Sequence, residues 1–277
     1  MASAEQPRRL IVNADDFGCS EAVNQAVIQA HREGILTSAS LMVSGQAFAE
    51  AVELARAHPA LGVGLHLCLV RARSACKPAD VPGLVDEECQ FSDRPILCGL
   101  WYFFNRSVRR QLRHEIEGQV QMFRATGLPL DHLDGHLHLH LHPTVLRLLS
   151  DHAPSWGLKS LRLTRDPFWL DARLARGRWF YRLAHAIVFG LLAASAKPIL
   201  EKRGLRHTRF VFGLLQNGRV DEDYLLRLLP RLPPGDAELY CHPSLVGARH
   251  ELAALTSQTV KTLVAQQGIQ LIRYQDL

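Results

Sequence analysis

Apolar positions along the chain fall into short runs that alternate with segments of helical spacing. Arg9 to Ala14 (RLIVNA) has the pattern of a buried strand. Ser20 then offers a cap to a helix in which Ala22, Val23, Ala26, Val27 and Ala30 share one face, and Gly34 offers its stop. The order repeats with a strand at Ser38 to Val43, a helix at Phe48 to Ala57 and a strand at Gly62 to Val70. From Arg109 to Arg124, Leu112, Ile116, Val120 and Phe123 recur at helical spacing, and Gly127 and Pro129 end that helix. Further strands are expected from His132 and at Ser160 to Leu163, Arg209 to Leu215, Ala237 to Cys241 and Ile269 to Tyr274, with helices at Asp221 to Leu229 and Glu251 to Gln266. Such alternation builds parallel sheets with helical crossovers, so the expected class is α/β. Seven or eight strands fit a closed or nearly closed (β/α) barrel. A doubly wound open sheet shares the alternation, but no G-x-G-x-x-G fingerprint follows the first strand.

Two stretches depart from the rhythm. Residues 71–107 carry Pro78, Pro82 and Pro95 and read as a long excursion. In 165–207, Arg173, Arg176, Arg178, Arg182 and His185 interleave with Leu174, Trp179, Phe180, Tyr181 and Leu183, ahead of AIVFGLLAASA. Cationic side chains beside an apolar run suit a membrane interface or a lipid. A helical insertion buried against the barrel fits the same residues. The run from Ala186 to Ala196 falls short of the roughly 20 residues that span a bilayer, so no transmembrane helix is expected. One domain over 1–277, with insertions near 71–107 and 165–207, is the expected organisation.

Composition adds limits. A chain of 277 residues, 47% hydrophobic and 21% charged, is that of an ordinary globular protein. The net charge is +5, but Lys and Arg are spread along the chain, so charge selects no partner and nucleic acid is not expected. The six cysteines (Cys19, Cys68, Cys76, Cys89, Cys98, Cys241) form no C-x-x-C pair, which argues against a structural zinc site and a disulfide framework. MASAEQPRR lacks the apolar region of a signal peptide. The expected compartment is the cytoplasm, with peripheral contact at the inner membrane face open through 165–207.

Chemistry gathers where strands end. Asp15 and Asp16 close the first strand, His66 lies in the third, Asp134 and His136 lie in the fourth, and Cys241-His242 ends a late one. In parallel barrels that rim assembles active sites. Either aspartate alone would serve as a turn former or helix cap, and a lone histidine among apolar residues, such as His66, is commonly a core residue. Asp134, His136, His138, His140 and His142 share parity, so an uninterrupted strand would put all five on one face, about 6.6 Å apart. One ion can then take one of them, or at most two neighbours. An opportunistic His-rich metal tract would account for the histidines but not for Asp15-Asp16.

The runs NADDFG (Asn13 to Gly18), GLHL (Gly64 to Leu67), HLDGHLHLH (His132 to His140) and CHP (Cys241 to Pro243) resemble the four motif blocks of the YdjC-like carbohydrate deacetylases, in order and at similar spacing. The resemblance runs from about Arg9 to Ser244 and is nearest the family's hopanoid-biosynthesis-associated branch. It implies a distorted TIM-like barrel, one divalent metal ion, with magnesium often assigned, and removal of acetyl from N-acetylated sugars. It also implies Asp16, His66 and His136 as metal ligands, Asp15 as catalytic base and His242 as general acid or its partner. Gly135 stands where many members carry Ser, a departure among substrate contacts. Asp134, His138, Trp179 and Phe180 are the expected substrate contacts, and the branch implies an N-acetylglucosaminyl hopanoid. Acetamide hydrolysis needs an activated water, a polarised carbonyl and a proton for nitrogen, and each role has a candidate here. Two imidazoles and a carboxylate suit zinc better than magnesium by ligand softness. A hydrolase of other amides or esters, and a non-catalytic metal- or lipid-binding protein, are the alternatives.

Overall fold

The computed structural model describes residues 6–174 and 177–277. Arg176, one of the arginines singled out above, lies outside the described residues. The strands are β1 (Arg8–Phe17), β2 (Ser38–Leu41), β3 (Gly62–Leu67), β4 (Leu133–Gly135), β5 (Phe210–Phe212), β6 (Gly235–Cys241) and β7 (Gln270–Leu271). The helices are α1 (Glu21–Glu33), α2 (Phe48–Ala57), α3 (Pro95–Phe104), α4 (Val108–Ala125), α5 (Pro143–Trp156), α6 (Phe168–Leu174), α7 (Trp179–Lys202), α8 (Glu222–Leu228), α9 (Arg249–Thr256) and α10 (Gln258–Gln266).

The strands form one parallel sheet in the order β4-β3-β2-β1-β6-β5, and β7 pairs with the start of β1. Its central strand carries Leu10, Ile11, Val12 and Ala14 fully buried, because a parallel strand covered by helices needs apolar side chains on both faces. The two edges approach each other through residues 160–165. Leu133 bridges Leu161, Ser160 bridges Arg206, and Val211 N donates to Arg165 O at 3.0 Å. The sheet is therefore curled. Isolated bridges replace the strand expected at Ser160 to Leu163, so regular strands do not complete the expected ring of seven or eight.

Other departures have local causes. The helix expected at Glu251 to Gln266 is broken at Ser257, whose side chain accepts from Val260 N and starts α10. α5 was not foreseen, although Pro143 at its first turn and the left-handed Gly157 at its end are ordinary start and stop signals. The fourth strand ends at Gly135, since Leu137 (φ 51°) and His138 (φ 58°) turn left-handed inside a 3-10 segment, His136–Leu141. The shared parity of Asp134 to His142 therefore does not become a shared face. In 165–207, the apolar run belongs to the 24-residue α7 and not to a short segment. By length and composition alone α7 is long and apolar enough to cross a bilayer, where the run from Ala186 to Ala196 by itself is too short. The helix packs against the core through Ala193, Ala196 and Leu200 and is otherwise mostly exposed, so the expected burial against the barrel is limited to one narrow face.

Candidate active site

All strand pairings are parallel, so the C-terminal strand ends lie at one rim, and the expected site residues gather there. β1 contributes two adjacent aspartates. In a regular strand they would point to opposite faces. The register with β2 instead slips between Ala14 and Phe17, and Asp16 has φ 63°. This bulge with a left-handed residue turns both carboxylates toward the rim, a strained conformation of the kind that collects at functional sites.

Asp16, His66 and His136 meet at a single point. Asp16 Oδ1 lies 3.3 Å from His66 Nε2 and 3.1 Å from His136 Nδ1, and the two nitrogens are 3.4 Å apart. Donors bound tetrahedrally to one ion at ordinary bond lengths are about 3.4 Å apart, so this triangle fits a metal without rearrangement. His66 is prepared for ligation. Its Nδ1 donates to Asp134 Oδ1 at 2.9 Å, which fixes the ring with Nε2 facing Asp16 and His136. Burial alone would lower the His66 pKa, but Asp134 and Asp16 together carry it well above the ordinary value. Burial likewise opposes ionisation of Asp16, yet its bonds to His136 and His66 hold it well below the carboxylate range.

Arg162, which the sequence reading did not single out, organises the charges around this triangle. Its side chain is fully buried. Its NH1 and NH2 reach Asp15 Oδ2 and Oδ1 at 2.8 and 2.7 Å, NH1 lies 2.6 Å from Asp134 Oδ2, and NH2 lies 2.7 Å from Glu238 Oε1. Desolvation works against the guanidinium, but Asp134, Asp15 and Glu238 raise its pKa well above the ordinary value. Burial pushes Glu238 up in spite of Arg162, and Tyr274 OH donates to its other oxygen. Three carboxylates (Asp15, Asp134, Glu238) thus surround one arginine, and Asp16 adds a fourth at the triangle, an excess of negative charge that a divalent cation beside Asp16 would offset. A second grouping, Asp15, His66 and Asp134, also lies close together. There Arg162 already occupies both Asp15 oxygens, and a cation would be repelled.

The remaining expectations divide. His242 Nε2 is 4.0 Å from Asp15 Oδ2, and its ring is partly exposed at the rim. Asn13 Nδ2 donates to Asp15 Oδ1 at 2.9 Å and to Ser40 Oγ at 2.9 Å, and Ser40 donates to Asp134 Oδ2 at 3.0 Å. Asp134, expected against substrate, is instead fully buried between His66, Ser40 and Arg162. It orients groups that face the rim. His138 is buried as well, with Nε2 3.0 Å from Tyr240 OH and its ring 5.1 Å from Phe189 of α7. Trp179 and Phe180 stand exposed at the start of α7, and Trp179 packs against Phe168. Gly64 explains part of the GLHL block: a Cβ there would lie 2.4 Å from the His132 ring. At Gly135 a Cβ would approach Leu67 O to 3.1 Å, so a side chain there requires a small shift.

The profile of the YdjC-like protein family matches residues 9–266. A carbohydrate deacetylase of Geobacillus stearothermophilus is 34% identical over 284 residues, covering 98% of each chain. A chitooligosaccharide deacetylase of Salmonella schwarzengrund is 30% identical over 277 residues, covering 94% of this chain and 96% of that one. Among solved structures, a candidate cellobiose-phosphate cleavage protein of Enterococcus faecalis V583 superposes with a TM-score of 0.75 at 26% identity, covering 98% of both chains.

Proposed function

The chain belongs to the YdjC-like family, and from that premise we propose that it hydrolyses the acetamide of an N-acetylated amino sugar, releasing acetate and a free amine. That it is a carbohydrate deacetylase follows from relatives of that activity aligned over nearly the whole chain. The observation that carries the reaction is the Asp16, His66, His136 triangle, 3.1 to 3.4 Å on a side, with Asp15 and His242 beside it.

In this reading Asp16, His66 and His136 hold one divalent ion. When bound, the ion polarises the acetyl carbonyl and acidifies water. Asp15 takes the proton of the attacking water, and His242 returns one to the departing nitrogen. Arg162 and Asn13 fix the Asp15 carboxylate, and Asp134 fixes the His66 ring. Two nitrogens and one oxygen favour zinc or another transition ion over magnesium. We read residues 160–165 as the segment that closes the curled sheet into a distorted barrel, and the chain as one domain.

The finer substrate reading is a lipid-linked sugar, such as an N-acetylglucosaminyl hopanoid, handled at the cytoplasmic face of a membrane. Its support is the exposed apolar surface of α7, which touches the site segment through Phe189 and His138. Six free cysteines agree with a reducing compartment. Acetate release by the metal-replete protein from N-acetylglucosamine oligomers and from the glycolipid tests both levels. Turnover of neither would end the deacetylase reading, and turnover of the oligomers alone would end the lipid one.

A further inference from the structure

We propose that α3 and α7 together form a docking surface for an anionic lipid bilayer, in contact with the two ends of the segment that carries His136. The two helices come from different insertions, yet both expose large apolar residues. On α7 only Arg182, Ala193, Ala196 and Leu200 are buried, while Phe180 (87% exposed), Ile187, Val188 and Leu191 (70%) turn outward. On α3, Ile96 (78% exposed), Leu97, Leu100, Trp101 and Phe104 (74%) recur at helical spacing on one outward stripe. A helix of an ordinary globular protein faces its large apolar residues to the core, and exposed patches of this size mark an interaction surface.

Position and charge point to the occupant. Tyr102 O of α3 accepts from Thr144 Oγ1 at 3.2 Å, and the Phe103 ring is 6.2 Å from His142. Phe189 of α7 contacts His138, toward the other end of the same segment. The two helices therefore contact the two ends of residues 136–144, and Leu137 of that segment is exposed. Residues 94–114 contain five arginines and no Asp or Glu, and residues 172–200 contain basic residues but again no acidic ones. Arg94, Arg106, Arg109, Arg110 and Arg178 are exposed. The acids Asp93 and Glu201 close these stretches, so cations outnumber acids along the apolar helices, a balance that matches lipid tails beneath anionic headgroups. Three of the four tryptophans are exposed, Trp101 on α3, Trp169 on α6 and Trp179 on α7, as amphipathic rings are at a membrane interface.

Docking of this kind is independent of the reaction at the rim, so vesicle binding and acetate release fail separately. The test is co-sedimentation of the full chain with phosphatidylglycerol/phosphatidylcholine vesicles and with pure phosphatidylcholine vesicles, at low and high salt. Brominated lipid provides a readout on the unaltered protein by quenching tryptophan fluorescence. The expected result is binding to the anionic vesicles that salt weakens, with quenching. Phe180→Ser with Leu191→Ser on α7, and Ile96→Ser with Phe104→Ser on α3, should each weaken binding roughly a hundredfold. Arg106→Gln with Arg109→Gln should weaken it roughly tenfold or more. Three results would overturn the proposal: no binding, equal binding to neutral vesicles, or an α3 variant that binds as the native chain does. A lipid-free dimer dissolved by the same serine substitutions would overturn it too, by assigning the surface to a second copy.

Discussion

At the rim, Arg162 is fully buried and meets three carboxylates from three different strands or strand ends; on α7, Phe180 and Leu191 are large, apolar and exposed. Each region reverses the usual placement of its residue type. The difference between them lies in what satisfies the reversal. Buried charge is held by partners inside the molecule, so the rim is ordered by its own chain. Exposed apolar surface has no such partner within the fold, and its free energy is released only on contact with something else. The first arrangement suits chemistry that needs fixed atoms, and the second suits delivery of a substrate to them.

The sharpest break in this contrast is Arg162→Met. Removing the cation leaves Asp15, Asp134 and Glu238 facing one another without compensation, and stability should fall by about 3–5 kcal/mol, read from urea unfolding. A loss below about 1 kcal/mol would mean that the carboxylates are protonated or hydrated in the native protein. Next in size, Asp15→Asn keeps the shape of the side chain and leaves the Asp16, His66, His136 triangle intact. It should retain bound metal while kcat falls by about 10²–10⁴. Near-native turnover would make Asp15 a structural residue.

The pH dependence of stability gives a smaller effect. Burial, with the Arg162 charge adding to it, lowers the pKa of His140 to about 4 from the ordinary 6.5, so the unfolded chain binds a proton that the folded chain refuses between those values. The stability from a neutral His140 is complete above pH 6.5 and is lost as pH falls toward 4. From pH 7 to pH 5 this group should account for about 2 kcal/mol. His140→Gln, which keeps a donor for Arg162 O, should flatten the pH profile by that amount relative to the native chain. Parallel profiles would contradict the assignment. Smallest of all, Phe180→Ser and Leu191→Ser should each change unfolding free energy by less than about 0.5 kcal/mol, because exposed side chains contribute little to the folded state. A large loss would place α7 among the core elements and erase the contrast.

How far the sequence could be read differs between the same two regions. Strand ends were legible because Asp15, Asp16, His66 and His242 follow short apolar runs, and parallel topology brings such ends to one rim. Arg162 was not legible as a site residue, since its partners lie at positions 15, 134 and 238 and only the fold brings them together. Its signal was present all the same: an arginine between Leu161 and Leu163 in a strand-like run must be paired if the run is buried. Asp134 was read against the sugar because parity presumed a continuous strand. The left-handed turn at Leu137 and His138 has no glycine to announce it. For α7, composition was informative but orientation was not, because an all-round apolar helix lacks the periodicity that says which face turns inward.

The central claim is that one metal ion held by Asp16, His66 and His136 serves the deacetylation. Its most direct test is titration of metal into chelator-stripped protein while acetate release from an N-acetylglucosamine oligomer is followed. The account predicts no release before metal is added, saturation at one ion per chain, and loss of both metal and activity in His66→Ala. Full activity in the stripped protein, or undiminished metal stoichiometry in His66→Ala, would contradict it.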